Sequence, residues 1–520
     1  MTETLVPTRG LSERAKTPRV LRLNAADNVV VAIDPILPGA TAEGVTATGR
    51  VPKGHKMATK AIGDGEPILK FGQIIGFAKG AIRAGEFVHD HNCFVHDFAR
   101  DYHYAEDAKP EHVLPLDQRR TFQGFKRKNG KVGTRNYIGI VTSVNCSASV
   151  SRFIADEINR SGILADYPTV DGVVAFVQGG GCGMAGRGSE GFEVLQRTEW
   201  GYAMHPNVGA TLMVGLGCEV MQIPDLMDDY GLKDNDTFHS MTIQATGGTR
   251  KSVERGIAMI KEMLPQAAAA QRETVPVSEI MLALQCGGSD GYSGFTANPA
   301  LGHAADLLVE QGGTAVLCET PEIYGAEHLL TRRAATREIG EKLIDIIHWW
   351  EDYTARNKGE MNNNPSHGNK AGGLTTILEK SLGAAAKGGT TTLRGVYHYA
   401  EPITERGFVF MDSPGLDPVG ATGQVASGCN VIAFTTGRGS AFGFKPAPSI
   451  KLATNSEVYR QMTEDMDINC GDILDGVTIE QKGREILDKV IAVASGEKSK
   501  SEQLGYGDNE FVPWQIGAVM

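Results

Sequence analysis

The 520-residue sequence contains no apolar run long enough to span a bilayer, and its N-terminal stretch lacks the apolar core of a secretory signal. It also lacks a block of basic residues, and its formal net charge is −11 with a pI near 5.7. These absences disfavour nucleic acid and anionic membrane as partners. We therefore expect a cytoplasmic protein that acts on a small molecule and, like many enzymes, forms a homo-oligomer.

Short CxxC pairs, which mark many metal sites, are also absent. The eight cysteines of this long chain are expected to be reduced thiols, either buried or metal-binding, rather than disulfides. Glycine, by contrast, is abundant, because its 64 residues exceed the usual share of about 7%. Such an excess predicts many tight turns in which the backbone approaches other backbone or a ligand.

The pattern of apolar residues divides the chain into four segments. Short apolar runs separated by glycine-containing turns predict a small all-β domain at residues 21–95. Residues 96–135 are rich in charge, proline and aromatic residues without periodicity, which is typical of a linker. Apolar strands, polar tips and amphipathic helices then alternate, which predicts an α/β fold with parallel sheets. We divide this region into a first α/β domain at residues 136–275 and a second at 276–520.

Four of the predicted strands end in a cysteine beside glycine or a polar residue. These strand-tip cysteines are Cys146, Cys182, Cys218 and Cys286. Because the carboxyl ends of parallel strands lie at one edge of a sheet, we expect the four thiols to converge. A thiol near a helix N-terminus ionises more easily, and the thiolate is the form that binds metal. The pattern predicts a metal site, although each cysteine taken alone is more typical of a small core residue.

Three other polar loops are candidate binding elements. His89 and His91 alternate on one predicted strand and could reach one metal or one acid, with His55 in a neighbouring loop; a solvated loop is the alternative. Lys370 lies in a loop of Asn, Pro and Gly and could meet a carboxylate. The TTGRG turn lacks the GxxxxGK(S/T) and GxGxxG frames, so Arg438 is expected to bind an anion there. Lys370 and Arg438 could instead be surface charges.

Several long motifs occur in a fixed order from about residue 21 to the C-terminus. They are GHK, VHDHN, GCG, GLGCE, QCGGSDGYSGFTANP, NPSHGNKAGG, EKSLGAAAKGG and FTTGRGSAFG. In this combination the sequence resembles the altronate and galactarate dehydratases, and VHDHN and EIYGAEHLL look like the altronate branch. The resemblance implies an N-terminal SAF (β-clip) domain and a two-part α/β catalytic region. It also implies iron-dependent loss of water from a hexonate or aldarate, giving a 2-keto-3-deoxy acid.

The implied reaction assigns roles to the candidate residues. A base removes the proton next to a carboxylate, an acid protonates the departing 3-hydroxyl, and a metal stabilises the enediolate. Soft thiolates from the four strand-tip cysteines would suit Fe2+ or an iron–sulfur cluster, with Mn2+ as an alternative. The candidate catalytic residues are His55, Lys56, His89, His91 and Lys370. The candidate substrate-binding residues are Ser289, Asp290, Asn298, Asn369 and Arg438.

Two other functions remain open at this point. The catalytic region of the sulfolactate lyases is similar, which makes a C–S lyase an alternative, but there the small domain is usually a separate chain. A protein that binds sugar acids without catalysis is the other alternative, and the many polar strand tips argue against it. Asp290 could equally cap the helix that follows it instead of contacting substrate.

Overall fold

A computed structural model describes residues 17–96, 100, 102–110 and 112–519. The N-terminal module, residues 17–96, consists of short antiparallel strands. They are β1 (Val20–Leu21), β2 (Val29–Ala32), β3 (Thr41–Ala42), β4 (Val45–Thr46), β5 (Lys56–Ala58), β6 (Pro67–Lys70), β7 (Gln73–Ala78), β8 (Phe87–Val88) and β9 (Cys93–Phe94). They form a four-stranded sheet in the order β1-β2-β5-β8, a three-stranded sheet β6-β7-β9 and the hairpin β3-β4. The predicted all-β domain is therefore present.

Tight turns close this module where glycine is needed. Gly85 has a φ of 86°, and a Cβ atom at this position would clash with the carbonyl oxygen of Thr46. Between the turns, all four residues of β2 are buried, so the strand runs through the centre of the module rather than along its surface. The glycine-rich segments of the sequence thus form the tight turns between the short strands of the module.

The predicted linker lies against the rest of the protein, although residues 97–99, 101 and 111 fall outside the described chain. Its later part forms β10 (Thr121–Lys126) and β11 (Val132–Gly133). The first parallel sheet follows, with strands β12 (Tyr137–Thr142), β13 (Gly172–Phe176), β14 (Val208–Gly215) and β15 (Phe238–Thr242). Its helices are α1 (Ala148–Arg160), α2 (Glu190–Ala203), α3 (Ile223–Tyr230), α4 (Ile243–Thr246) and α5 (Thr249–Ala268). Strand β16 (Arg272–Pro276) then pairs back with β10.

The second parallel sheet contains the remaining strands. They are β17 (Met281–Cys286), β18 (Thr314–Leu317), β19 (Leu393–Tyr397), β20 (Gly407–Met411), β21 (Val431–Thr436), β22 (Ser449–Ala453) and β23 (Ile468–Asn469). The helices described around it are α6 (Ala297–Glu310), α7 (His328–Thr331), α8 (Arg337–Arg356), α9 (His367–Ala371), α10 (Ile377–Ala385), α11 (Asp417–Ala426), α12 (Ser456–Gln461), α13 (Ile479–Ala494) and α14 (Lys500–Leu504). All of its strand pairs are parallel, so the α/β class predicted from the alternating pattern is confirmed.

The strand orders locate the edges at which ligands usually bind. The first sheet runs β13-β12-β14-β15, and the second runs β19-β20-β18-β17-β21-β22-β23. In the first sheet the chain passes from β12 to β13 on one side and then to β14 on the other side of β12. In the second sheet it passes from β17 to β18 on one side and later to β21 on the other side of β17. In open α/β sheets such switch points form crevices at the carboxyl ends of the strands. A cysteine lies at each of the two switch points, Cys146 after β12 and Cys286 at the end of β17.

One apolar core joins the two sheets, and the C-terminal segment helps to connect them. Trp514 stacks on Trp350 with ring centroids 5.3 Å apart, while Phe511 packs edge-on against Phe176 of β13 at 5.6 Å. This segment therefore contacts both the second sheet's helix α8 and the first sheet. Across the described part of the chain, no helix combines the length and the apolarity needed to cross a membrane.

Candidate active site

Three of the predicted metal ligands lie at one edge of the first sheet. Cys146, Cys182 and Cys218 follow the neighbouring strands β12, β13 and β14, and all three residues are exposed. Their loops touch one another, because the backbone N–H of Asn145 donates to the carbonyl oxygen of Gly180 at 3.0 Å. We call these three residues the thiol edge. Its sulfur atoms are accessible to a metal or to a reagent.

The fourth predicted ligand, Cys286, is separated from the thiol edge. It is the last residue of β17 in the second sheet and is buried. The ammonium Nζ of Lys387 lies 2.9 Å from its Sγ, and carboxylate oxygens of Glu319 and Glu322 lie 3.6 and 3.4 Å away. The expectation that the four cysteines form one set therefore needs correction, because β17 belongs to a different sheet from the other three strand tips.

Cys286 belongs instead to a charge cluster, which we define as Cys286, Glu319, Glu322, Lys380 and Lys387. Lys387 also pairs with Glu319 at 3.1 Å, and both side chains have no exposed surface. Lys380 pairs with Glu322 at 2.6 Å. Both cations come from one segment, because Lys380 is in α10 and Lys387 is in the 3-10 turn that follows it. Two acidic side chains and two lysines thus contact one another beneath the second sheet's carboxyl edge.

Burial and neighbouring charge shift the proton affinities within this cluster. Burial, together with the adjacent Glu322 carboxylate, raises the pKa of Glu319 to about 8. Burial also raises the pKa of the Cys286 thiol far above its ordinary value, although Lys387 opposes this effect. Glu319 has a φ of 70°, and its Oε1 atom has no hydrogen-bond partner among the described residues. Strained backbone, an unpaired oxygen and a raised pKa together are typical of functional positions.

The N-terminal module brings its histidines to a loop of the second sheet. The Nε2 atom of His89 lies 2.9 Å from the carbonyl oxygen of Lys370, and the His55 ring stacks on His89 with centroids 5.1 Å apart. His91 is exposed beside Phe87. The structure therefore brings three predicted catalytic residues, His55, His89 and Lys370, into one contact region. We call the contact between the N-terminal module and residues 289–295 and 369–383 the module junction.

The hydrogen bonds of His55 define its tautomer. Its Nδ1 atom lies 2.9 Å from the carbonyl oxygen of Lys53, so Nδ1 carries the proton in the neutral ring and Nε2 has a lone pair. Burial lowers the pKa of His55, which favours this neutral form. His89 uses both ring nitrogens, because Nδ1 also lies 2.8 Å from the Asp90 carboxylate. His89 therefore fixes the module against the Lys370 loop, while His55 keeps one nitrogen available.

Lys56, predicted as catalytic, is instead part of a buried ion triad. Its Nζ atom contacts both carboxylate oxygens of Glu379, at 2.9 and 3.0 Å, and the carbonyl oxygen of Gly373 at 2.7 Å. Lys70, from β6, contacts the same Glu379 carboxylate at 2.8 Å. Because its three N–H donors are all used by the protein, Lys56 is a fixed cation that attaches the module to α10. This corrects its assignment as a catalytic residue.

Two predicted substrate-binding residues use their polar atoms within the protein. Asp290 is buried, and its carboxylate accepts hydrogen bonds from the hydroxyls of Ser293 and Thr454 at 2.9 and 3.0 Å. The side-chain amide of Asn298 donates to Gly383 O at 2.9 Å, and its oxygen accepts from Thr435 at 2.7 Å. Both residues therefore organise the strand tip, and their expected contact with substrate hydroxyls is corrected because these atoms are already occupied.

The other predicted binding residues surround the same strand tip. The side-chain amide of Asn369 donates to the carbonyl oxygen of Ser289 at 2.8 Å, which joins the α9 loop to the tip of β17. The backbone N–H of Arg438 donates to Gly288 O at 2.8 Å, and the Arg438 residue itself is exposed. Ser289, Asn369 and Arg438 thus meet at the switch point between β17 and β21.

The module junction is closed in this structure. Its cavity has a volume of only about 10 Å³ and is lined by side chains that include Lys70, Ser289, Asn298, Glu379 and Lys380. Ligand pockets for small molecules usually measure about 300–1,000 Å³. A ligand of that size does not fit this cavity in the structure described.

Sequence reasoning did not select six of the buried charged residues at the second sheet and the module junction. They are Lys70, Glu319, Glu322, Glu379, Lys380 and Lys387. Each lies in a segment of apolar or small residues, such as ILKFG and EKSLGAAAKGG. A charged residue within such a segment was the available sign of a buried charge. Charged residues are almost never fully buried without a partner, so a buried segment that contains Lys or Glu predicts an ion pair somewhere else in the chain.

Family models match almost all of the chain. Residues 18–95 match the altronate/galactarate dehydratase SAF domain, and residues 124–268 match the second domain of D-galactarate dehydratase/altronate hydrolase. Residues 277–519 match the C-terminal part of D-galactarate/altronate dehydratase. The N-terminal module, the first sheet and the second sheet thus each correspond to one family model.

Curated relatives are similar over nearly their whole length. The chain is 34% identical to the altronate dehydratase of Bacillus subtilis (strain 168) over 492 residues, which is 93% of this chain and 96% of the relative. It is 37% identical to the galactarate dehydratase (L-threo-forming) of Escherichia coli (strain K12) over 507 residues, 95% of this chain and 96% of the relative. It is 33% identical to the altronate dehydratase of the same organism over 488 residues, 93% and 96% of the two chains.

Proposed function

The chain belongs to the D-galactarate/altronate dehydratase family of hydro-lyases, and from this premise we propose that it removes water from a sugar acid in an iron-dependent reaction. The proposed substrate is a hexonate or an aldarate, with altronate and galactarate as the first candidates. The proposed product is a 2-keto-3-deoxy sugar acid. Identities of 34% and 37% to relatives of the two types do not favour either substrate.

One observation supports the location of the reaction more than any other. The N-terminal module carries His55 and His89 onto the Lys370 loop at the carboxyl edge of the second sheet. This edge is the switch point where ligands bind in α/β proteins. It offers Lys370 and the exposed Arg438 for a carboxylate, and imidazoles for proton transfer. A separate binding protein would not need titratable groups on both faces of a closing junction.

The residues have distinct proposed roles. Lys370 and Arg438 hold the carboxylate of the sugar acid, and Ser289 orients a hydroxyl beside them. His89 and the exposed His91 of the module supply the proton that the departing 3-hydroxyl requires, since hydroxide is a poor leaving group. Closure of the module excludes water from the reacting carbon, which strengthens these charge interactions. The enol that remains becomes a 2-keto group without further catalysis.

The thiol edge is the proposed iron site. Three accessible thiols from adjacent loops provide soft donors, which suit iron, as a single ion or an iron–sulfur cluster, with Mn2+ as the alternative metal. Iron bound there would supply a Lewis acid for the reaction.

The charge cluster fits a metal less well, although its geometry is compact. One donor atom each of Cys286, Glu319 and Glu322 lie within 4.8 Å of one another. Lys387 and Lys380, however, already neutralise the two carboxylates at 3.1 and 2.6 Å. A divalent cation there would have to displace two buried ammonium groups, so we do not assign iron to Cys286.

A substrate panel tests the proposed function. Protein purified without oxygen and supplied with iron is incubated with altronate, galactarate, other aldonates and aldarates, and sulfolactate. We expect formation of a 2-keto acid from at least one sugar acid, measured as its hydrazone. Sulfite release from sulfolactate without any reaction of a sugar acid would instead identify a C–S lyase. No turnover of any compound by folded, iron-containing protein would contradict the proposal.

A further inference from the structure

The two lysines that share Glu379 differ in how completely their donors are used. Lys56 has three acceptors within 3.0 Å, two on Glu379 and one on Gly373. Lys70 has one carboxylate contact, at 2.8 Å, and otherwise faces the rings of Phe71 and Phe295 at 4.9 and 5.7 Å. Lys56 thus has all three N–H donors in contact with acceptors, whereas Lys70 has one such contact and an otherwise apolar surrounding.

The position of Lys70 differs from that of Lys56 in a second way. Lys70 lines the cavity of the module junction together with Ser289, Asn298 and Lys380, and Lys56 does not. The cavity separates β6 of the module from the tip of β17, where the proposed substrate carboxylate is held. Lys70 therefore faces the tip of β17 across this cavity.

We propose that Lys70 is the base that removes the proton next to the substrate carboxylate, and that Glu379 and Lys56 position it for this task. The inference rests on the proposed dehydratase function. The Nζ lone pair forms the new N–H bond, and the electrons of the broken C2–H bond enter the enediolate. Loss of the 3-hydroxyl with a proton from the module's histidines then releases water. Lys70 then releases its proton to solvent and the histidine takes one up from solvent, so atoms and charge balance over one turnover.

The groups around Lys70 favour the amine. Burial is the largest influence and lowers the pKa of Lys70, and the neighbouring Lys56 lowers it further. Glu379 and Asp27 oppose this effect. Lys380 on the same helix as Glu379 adds a second cation near the cavity. A lysine in an apolar site beside another cation is a known way to obtain an amine base near neutral pH.

Hydrogen exchange measures the base separately from water loss. The probe is the 3-deoxy analogue of whichever sugar acid the wild-type enzyme dehydrates, because this analogue has no hydroxyl to lose. Holoenzyme in D2O is followed by NMR for loss of the C2 proton signal. We expect Lys70→Arg, which keeps a cation on Glu379, and Lys70→Met to lower the exchange rate by at least about 100-fold.

Lys56→Met is the matched control. Exchange should persist in this variant, but its dependence on pH should change. Exchange by an amine base rises as pH increases through the pKa of the amine, and removing the Lys56 cation raises that pKa. The acidic limb of the profile should therefore move to higher pH. A profile that stays in place, or moves to lower pH, would contradict the role of the triad.

The outcomes separate the two proposals. Wild-type protein that neither dehydrates nor exchanges any sugar acid would remove the proposed function itself. Wild-type protein that does both, together with Lys70→Arg that exchanges within about twofold of it, would overturn only the role of Lys70. Circular dichroism and iron content of each variant establish that it is folded and loaded, and Lys70→Arg remains informative if Lys70→Met does not fold.

Discussion

The thiol edge and the charge cluster occupy equivalent places in two parallel sheets, yet their surroundings are opposite. Cys146, Cys182 and Cys218 are exposed, whereas Cys286 is buried against Lys387. Each cysteine follows an apolar strand in similar text. The difference arises from what packs over the strand tip: α10 and its 3-10 turn cover β17, and no helix in the described chain covers the three loops in the same way. The function of a strand tip thus depends on which element packs over it.

Removal of a charge from the charge cluster should have the largest effect on stability. At pH 9, where Glu319 is ionised, Lys387→Met leaves its buried carboxylate without its cation, and we expect the free energy of unfolding to fall by about 3–5 kcal/mol. Urea unfolding followed by circular dichroism measures this change. The matched control is Lys126→Met, because Lys126 pairs with Glu273 at the surface at 3.1 Å. The control should change stability by about 0–1 kcal/mol. Equal effects of both variants would show that the cluster is not a buried network.

A change of pH should have an intermediate effect at the same cluster. The folded pKa of Glu319 is about 8, above the ordinary value of 4.5, so the folded state holds this proton more tightly than the unfolded state. Its contribution to stability is present at low pH and is lost as pH rises towards 8. Asp412 and Asp417, with pKa values raised to about 6, titrate mainly below this range.

Glu319→Gln tests this linkage. Between pH 6.5 and 8 the wild-type protein should lose on the order of 1–2 kcal/mol of unfolding free energy through Glu319, and the variant should lose correspondingly less. Unfolding curves at several pH values within this range give the slope directly. A slope that is the same with and without the carboxyl group would place its titration elsewhere.

The thiol edge should tolerate substitution better than the charge cluster. In metal-free buffer, the triple variant with serine at Cys146, Cys182 and Cys218 should unfold within about 0.5 kcal/mol of the wild type, because these side chains are exposed. Its iron content after anaerobic loading should nevertheless fall to background. Cys286→Ser is the contrast: it should keep its iron and lose more stability. Undiminished iron in the triple variant would move the metal away from the thiol edge.

The sequence predicted those features that depend on neighbouring residues. The strand that ends at Cys286 and the helix that follows it were clear from periodicity, and three adjacent thiol loops followed from the α/β alternation. The pairing of Lys387 with Glu319, 68 positions apart, and of Lys56 with Glu379, 323 positions apart, left no local pattern. Such contacts depend on how separate elements dock, which one sequence does not specify by spacing.

Polar residues in glycine-rich loops were the other source of error. Asp290 and Asn298 looked available for substrate because their text is polar, but buried backbone and hydroxyl groups at the strand tip also need partners. The protein satisfies these groups with the same two side chains. A polar residue in a candidate site can bind substrate or satisfy the protein's own polar groups. The hydrogen bonds of its side-chain atoms in the folded structure distinguish the two roles.

The segment that carries Glu379, Lys380 and Lys387 limits how this region can vary in length. Glu379 faces the N-terminal module, whereas the two lysines face the second sheet. Each residue added to a helix turns the following ones by about 100°. One inserted residue between Lys380 and Lys387 would therefore turn Lys387 away from Cys286 and leave Glu379 in place. Natural variants should therefore keep the number of residues between the charges unchanged.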